Sequence, residues 1–280
     1  MELLSGKVFR DNVSLELKEK INELGYKPSL VVIRIGEDEA SSVYIRQKER
    51  LAAELGVLFF CVMFDENSEE AVIFEKIEEL NNDASVNAIM IQLPISDKFD
   101  ESRLRNAILP IKDVDCLTNY NIGGLSDGSS YVKPCTASGI VELMDYYNII
   151  IGGKDVVIVG RSNLVGKPLA TLLVNRDATV TVCHSKTKEL SSFTRKADIL
   201  IVAVGKKGFI TSDMVKTDAV IIDVGINKEN NKIYGDVDFD GVSSKCSCIT
   251  PVPGGVGVVT TMMLFINVYD LCMKQNSGSN

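Results

Sequence analysis

Tyr44 and Lys48 stand four residues apart in a stretch, Ala40 to Leu55, that reads as helix, so both side chains fall on one face. A phenol beside an amine can orient a substrate and move a proton. The same spacing also suits an ordinary solvated helix face. Gln92 closes the apolar run Met90-Ile91-Gln92-Leu93-Pro94 at the C-terminal end of an expected strand, where open α/β sheets hold ligands. Asp113 and Asp115, in Lys112-Asp113-Val114-Asp115, make an acidic loop that turn chemistry alone could also explain. Further on, the strand Asp155 to Val159 runs into Gly160-Arg161-Ser162-Asn163-Leu164-Val165-Gly166 and then a helix. Backbone N–H groups at a helix N-terminus accept a pyrophosphate, and glycine lets the backbone approach it closely. The spacing is Gly-x5-Gly, with Ser162 where a middle glycine would stand, so an ordinary strand-to-helix turn fits the motif as well.

The next strand bears on the same question. A fold that binds NAD places an acid about 20 residues on, for the ribose 2′-hydroxyl. Here that strand ends in Cys183-His184-Ser185-Lys186, without an acid, and Arg161 stands in the glycine loop. Cations and hydroxyls suit a 2′-phosphate, which favours NADP, with Arg161 and Ser185 as its candidates. His184 either borders the adenosine end of the cofactor or is a solvent-facing histidine at a strand end.

Composition removes whole classes of mechanism. One histidine in 280 residues excludes any site built on two, and a Ser-His-Asp triad would have to use His184. Thirty basic against 38 acidic residues, a net −8, argue against an extended nucleic-acid surface, so anionic ligands need local basic groups. The seven cysteines are scattered, with no metal spacing, and read as reduced thiols of a cytoplasmic protein; no metal site is expected. The N-terminus lacks a basic region followed by an apolar core, and no window approaches the ~20 apolar residues of a membrane span.

At roughly 150 residues per domain the length suggests two domains. Strand-length apolar runs alternate with amphipathic stretches, the pattern of βαβ units around mainly parallel sheets. The first half reads helix 8–24, strand 29–35, helix 40–55, strand 57–64, helix 69–81 and strand 88–93. Residues 94–133 read as connecting, site-forming loop. A helix with Thr136 as its N-cap follows, and the pattern restarts with strands 155–159, 179–183, 199–204 and 219–224 around a helix 167–175. An apolar helix 260–273, expected to pack back on the first domain, precedes a polar tail 275–280 expected to be disordered.

In order along the chain stand Tyr44-x-x-x-Lys48, Gln92-Leu93-Pro94, Lys112-Asp113-Val114-Asp115, Pro134-Cys135-Thr136, Gly160-Arg161-Ser162 with Val165-Gly166, and Pro251-Val252-Pro253-Gly254-Gly255-Val256-Gly257. Together they resemble the bifunctional methylenetetrahydrofolate dehydrogenase/methenyltetrahydrofolate cyclohydrolase family, from about Ser5 to Met273. Tyr-x-x-x-Lys also marks short-chain dehydrogenases, but there it follows the glycine loop, whereas here it precedes it by more than a hundred residues. The resemblance implies an N-terminal folate-binding catalytic domain, 1–136 plus 260–280, and a Rossmann-like NADP-binding domain, 137–259, with both reactions in a cleft between them. It implies tetrahydrofolate derivatives as substrates and a homodimer formed through the nucleotide domain, in one-carbon metabolism and purine biosynthesis.

Residue by residue, the resemblance implies Lys48, Tyr44, Gln92 and Asp115 as the catalytic set. Tyr44, Gln92 and Asp115, with Pro253, Gly254 and Gly255, would hold folate. Gly160, Arg161, Ser162, Val165, Gly166, His184, Ser185 and Ile226 would hold the cofactor. Hydrolysis of a methenyl cation needs a base, and Lys48 can serve as one only where desolvation and the ligand's charge lower its pKa, with Gln92 and Tyr44 as neutral orienters. Asp115 would accept two parallel pterin donors. Four positions depart from the family pattern: Cys116 for Gly, Ser96 and Val258 for Pro, and Ala137 for Pro. Two other readings are a two-domain dehydrogenase of amino-acid-dehydrogenase type, which leaves the Gln-Leu-Pro and Pro-Gly-Gly-Val-Gly strings unexplained, and a non-catalytic binding module, which would not need Lys48 or Asp115.

Overall fold

The computed structural model describes residues 1–230 and 232–277. The chain divides into two compact units, one of Val13–Lys133 with Leu264–Asn280, the other of Met1–Asn12 with Pro134–Met263. The chain begins with strand β1 (Glu2–Leu3) and helix α1 (Gly6–Asn22), which passes from the second of these units into the first.

The first unit is built on a three-stranded parallel sheet. Its central strand β2 (Ser29–Ile35) is almost wholly buried, as the largely apolar run of a strand covered on both faces must be. Helix α2 (Glu39–Leu55) starts where the Asp38 carboxylate accepts from the Ser41 N–H at 2.6 Å and stops at Gly56, φ +83°. Strand β3 (Leu58–Phe64) forms one edge, and β4 (Ala88–Ile91) the other. Between them α3 (Glu70–Asn82) lays Ile73, Ile77 and Leu80 on Val31, Ile33, Ile89 and Ile91. Two short helices follow, α4 (Glu101–Asn106) capped by Asp100 and α5 (Asn119–Gly123) capped by Thr118.

The second unit starts with α6 (Cys135–Tyr146) and continues as β5 (Asp155–Val159), α7 (Gly166–Val174), β6 (Thr179–Cys183), α8 (Leu190–Thr194), β7 (Ile199–Val202) and β8 (Val220–Asp223). A hairpin β9 (Asn227–Glu229) and β10 (Lys232–Tyr234), α9 (Phe239–Ser243), β11 (Cys248–Ile249) and α10 (Val256–Ser277) complete the chain. The main sheet is parallel throughout, in the order β1-β11-β8-β7-β5-β6. This is the expected two-unit α/β architecture of parallel sheets.

Several expectations need correction. The sequence groups residues 1–12 with the first half, whereas in the structure they group with the second unit: Glu2 and Leu4 N–H donate to the Ser247 and Ile249 carbonyls at 2.7 and 2.9 Å, and Leu4 is fully buried. Thr136 is not the cap of α6. Pro134 is, its carbonyl accepting from Ser138 N at 2.8 Å, while the Thr136 hydroxyl faces that of Thr260 at 3.3 Å. The segment 94–133 holds α4 and α5, and α10 begins at Val256 rather than Thr260. That helix is long and apolar enough to cross a membrane, with a mean hydropathy of 1.7 over 18 residues, of which 56% is buried inside the protein. Within the first unit its Asn267 amide donates to the Val114 and Lys133 carbonyls, both at 2.8 Å. Of the tail, Gln275 is helical and donates to the Asn87 and Ile111 carbonyls at 2.7 Å; residues 278–280 lie outside the described ones.

Candidate active site and nucleotide-binding loop

In the first unit, α2 and the end of β4 bring two of the expected residues into contact. The Lys48 ammonium donates to Gln92 Oε1 at 2.6 Å, and Gln92 Nε2 donates to its neighbour's carbonyl, Leu93, at 2.7 Å. The second bond fixes which end of the buried amide faces the lysine. Tyr44, one turn before Lys48, is 44% exposed, so its ring remains accessible to a ligand.

The acidic string Lys112-Asp113-Val114-Asp115 separates into structural and presented residues. Lys112 is buried and donates to the Leu80 and Asp83 carbonyls at 2.9 and 2.7 Å, capping the C-terminus of α3; burial pulls its pKa down. Asp113, also buried, accepts from Leu117 N, Thr118 N and Asn121 Nδ2 at 3.2, 2.8 and 3.0 Å and so organises the entry to α5. Val114 is fully buried. Asp115 alone of the four is half-buried, which leaves its carboxylate within reach of a ligand. Cys116 has φ +58°, the left-handed region that glycine occupies without strain, which accounts for glycine there in the family pattern. Its thiol contacts the Val132 carbonyl at 3.1 Å, and burial pushes it up to about 12.

In the second unit, β5 runs into Gly160, φ +132°, and α7 begins at Gly166. A Cβ at Gly160 would overlap the Ala203 carbonyl, and one at Gly166 would overlap that of Gly160, so both glycines are required by the close approach of backbone to backbone. Ser162 Oγ accepts from Val165 N at 3.1 Å and shapes the turn in place of the missing middle glycine. Gly160 N–H donates to Cys183 O at 2.9 Å, so the exposed Arg161 and Ser185 both emerge from the ends of paired strands. His184 is turned into that loop, its Nδ1 accepting from Lys186 N at 3.2 Å. The Pro251–Gly255 segment precedes α10, with Gly254 at φ +107° and no room for a Cβ at Gly255 against the Pro251 carbonyl, 2.5 Å away. The side chain of Ile226, 51% exposed, lies 3.5 Å from where a Gly257 Cβ would be.

Two buried carboxylates that the motifs did not single out hold these loops. Asp223 accepts from Gly225, Asp236 and Val237 N–H, each at 2.9 Å, and burial raises its pKa to about 6 against those bonds. Asp236 accepts from Val204, Gly205 and Lys206 N–H at 2.7, 2.9 and 2.7 Å and from Asn227 Nδ2 at 2.9 Å. The signal was present, since Asp223 closes an apolar strand just as Gln92 does.

Residues 4–115 match the family described as "Tetrahydrofolate dehydrogenase/cyclohydrolase, catalytic domain", and residues 134–276 match its "NAD(P)-binding domain". The chain belongs to this family. It is 48% identical over 278 residues to Bifunctional protein FolD 2 of Lactobacillus johnsonii, covering 98% of this chain and 99% of that one. Among solved structures, the bifunctional methylenetetrahydrofolate dehydrogenase/cyclohydrolase of Campylobacter jejuni superposes with a TM-score of 0.96 at 43% identity, over 98% and 99% of the two chains. The Trypanosoma brucei enzyme, solved with NADP and an inhibitor, gives 0.93 at 34% identity over 99% and 98%. In the family's terms, the Lys48–Gln92 pair and Asp115 lie in the catalytic match, and the Gly160 loop, Asp223 and Asp236 in the NAD(P)-binding match.

Proposed function

We infer that this chain oxidises 5,10-methylenetetrahydrofolate to the 5,10-methenyl cation with NADP⁺ and hydrolyses the cation to 10-formyltetrahydrofolate, using Lys48 in the hydrolysis. The observation that carries the assignment of Lys48 is its 2.6 Å bond to Gln92 Oε1. A carbonyl accepts from an ammonium and from a neutral amine alike, so Lys48 keeps its position whichever protonation state it holds. A carboxylate partner would hold the proton on. Lys48 can therefore take a proton from attacking water and return one to the departing nitrogen, while Tyr44 lies along the same helix face to orient the ring. The half-buried Asp115 suits a pterin, whose amino group and ring N–H offer two parallel donors.

The second unit fits NADP. Glycines 160 and 166 leave the space that side chains would fill, and Arg161 and Ser185 stand at strand ends free of any acid. Arg161 and Ser185 would hold the 2′-phosphate, Gly160, Ser162, Val165 and Gly166 the pyrophosphate, with His184 and Ile226 flanking. Bound NADP⁺ supplies the hydride acceptor. The Pro253-Gly254-Gly255 backbone, stiffened by its prolines, gives a surface on which folate can rest. A −8 charge and seven unpaired cysteines support a cytoplasmic setting, where the product would serve purine biosynthesis, and family resemblance supports a homodimer.

The deciding experiment follows reduced nicotinamide and methenyl absorbance together after mixing with 5,10-methylenetetrahydrofolate and either NADP⁺ or NAD⁺. Wild type should produce reduced cofactor with little methenyl accumulation, faster with NADP⁺. Absence of cofactor reduction would overturn the reading.

A further inference from the structure

Asp115 lies in a turn that is fastened on both sides. Cys116 N–H closes the turn by donating to the Asp113 carbonyl at 3.3 Å, and Asp113 bridges to Ile89 of β4. Before Asp115, the Val114 carbonyl accepts from Asn267 Nδ2 of α10 at 2.8 Å, and the same amide donates to the Lys133 carbonyl at 2.8 Å. After Asp115, the fully buried Cys116 thiol donates to the Val132 carbonyl at 3.1 Å and lies 3.4 Å from Ser130 Oγ, whose own hydroxyl donates to that carbonyl at 2.6 Å. Both ties run to the stretch 130–133, so the backbone on each side of Asp115 rests on one support. The second tie needs a side chain, and glycine, the residue of the family pattern here, has none. A Cβ at φ +58° is strained, and what offsets that strain in this chain is burial of the thiol and its bond to Val132. Burial pushes the thiol up to about 12, so it keeps its proton for that bond at neutral pH.

We propose that Cys116 is a positioning residue for the folate substrate: its thiol locks the turn and presents the Asp115 carboxylate in one orientation, so that this chain holds folate more tightly than it would with glycine at that place. This rests on the reading of Asp115 as the anchor of the pterin. Two parallel donors reach a carboxylate only in a set orientation, and a carboxylate fixed beforehand loses less freedom when the ligand arrives. Hydride transfer gains nothing from that ordering once folate is bound, so the effect belongs to KM for folate and not to kcat.

The test uses the full-length protein, with 5,10-methylenetetrahydrofolate varied at saturating NADP⁺. Cys116→Gly and Cys116→Ala both lose the donor, and each should raise KM for folate about three- to tenfold, the worth of one neutral hydrogen bond, with kcat and KM for NADP⁺ changed by no more than about twofold. Cys116→Ser keeps a donor and should stay within about twofold of wild type in all three. Thermal melts separate positioning from stability: alanine keeps the strained Cβ and glycine removes it, so Cys116→Ala should melt several degrees below Cys116→Gly. A folate KM that is unchanged in Cys116→Gly, or raised only in the variant that melts low, makes Cys116 merely structural and overturns the proposal. So does a Cys116→Ser as impaired as Cys116→Gly, or a loss shared equally by kcat and KM for NADP⁺. Asp115→Asn tells this failure from that of the reading beneath it. If Asp115→Asn leaves KM for folate unchanged, the anchor reading falls and the proposal with it; if Asp115→Asn raises that KM and Cys116→Gly does not, the proposal alone falls.

Discussion

Lys48, Asp115 and Arg161 do different work, and their substitutions should separate. Lys48→Met keeps the length of the side chain but removes the nitrogen that Gln92 holds; hydrolysis of added methenyltetrahydrofolate should fall by roughly 10²–10⁴. Near-normal hydrolysis would remove Lys48 from the mechanism. Arg161→Ala should weaken NADP⁺ by about 10- to 100-fold, the worth of a charge-assisted phosphate contact, and NAD⁺ by no more than about twofold, measured as KM for each. Equal losses would show that Arg161 does not read the phosphate. Asp223 bears on stability instead. Its pKa of about 6 lies above the 3.8 of an exposed Asp, so between these values the native state holds more protons than the unfolded chain, and this group makes the protein more stable as pH falls. The contribution is on the order of 3 kcal/mol, complete below about pH 4 and lost as pH rises through 6. Asp198, whose pKa is held down chiefly by Lys216, acts the opposite way and below the usual carboxylate range, so the two windows do not overlap. Urea unfolding of Asp223→Asn between pH 4.5 and 6.5 should therefore lack that downward slope. At neutral pH the variant should lose about 1–3 kcal/mol, because an amide NH2 cannot accept from the N–H groups around it.

Elements with a strong period were legible in the sequence and short ones were not. Strand β2 was readable to its end residues because a buried central strand is a largely apolar run, here broken only by Ser29 and Arg34, bounded by Pro28 and Gly36. Helices α4 and α5 are too short to show a period. Only their caps, Asp100 and Thr118, announce them, and without a following apolar stripe a cap looks like any turn residue. The hairpin β9–β10 is polar, and β1 and β11 contain two residues each, held by backbone bonds that leave no side-chain pattern. The site was legible as residue types in the residues themselves, and as roles only through the family resemblance. The acidic string by itself treats Asp113 and Asp115 alike; resemblance picked Asp115, and burial gives the physical reason, separating the loop-holding carboxylate from the presented one. The glycine loop makes its own prediction. In Gly166→Ala a methyl group would meet the Gly160 carbonyl, so the start of α7 must move. NADP⁺ affinity should drop at least about tenfold, with a stability loss of about 1–3 kcal/mol, read by titration and thermal melts. Unchanged affinity would mean that α7 does not set the phosphate position.

For the whole chain, sequence order and spatial grouping disagree at the N-terminus. Leu4 belongs to the unit built by residues 134–263, so Leu4→Ala should destabilise that unit, by about 2–4 kcal/mol in urea unfolding. Cofactor affinity measured after mild heating should fall with it. If hydrogen exchange placed the loss in residues 13–133 instead, the grouping would be wrong. The sheet order β1-β11-β8 has a further consequence for synthesis. Glu2 and Leu3 leave the ribosome long before the strand they pair with, β11. Until Cys248 and Ile249 are out, β8 presents a bare parallel edge and Leu4 has no place to be buried. A nascent chain halted before that point is therefore exposed at two apolar surfaces at once, and it is β11, with no residue of the expected catalytic set, that closes the sheet around β1.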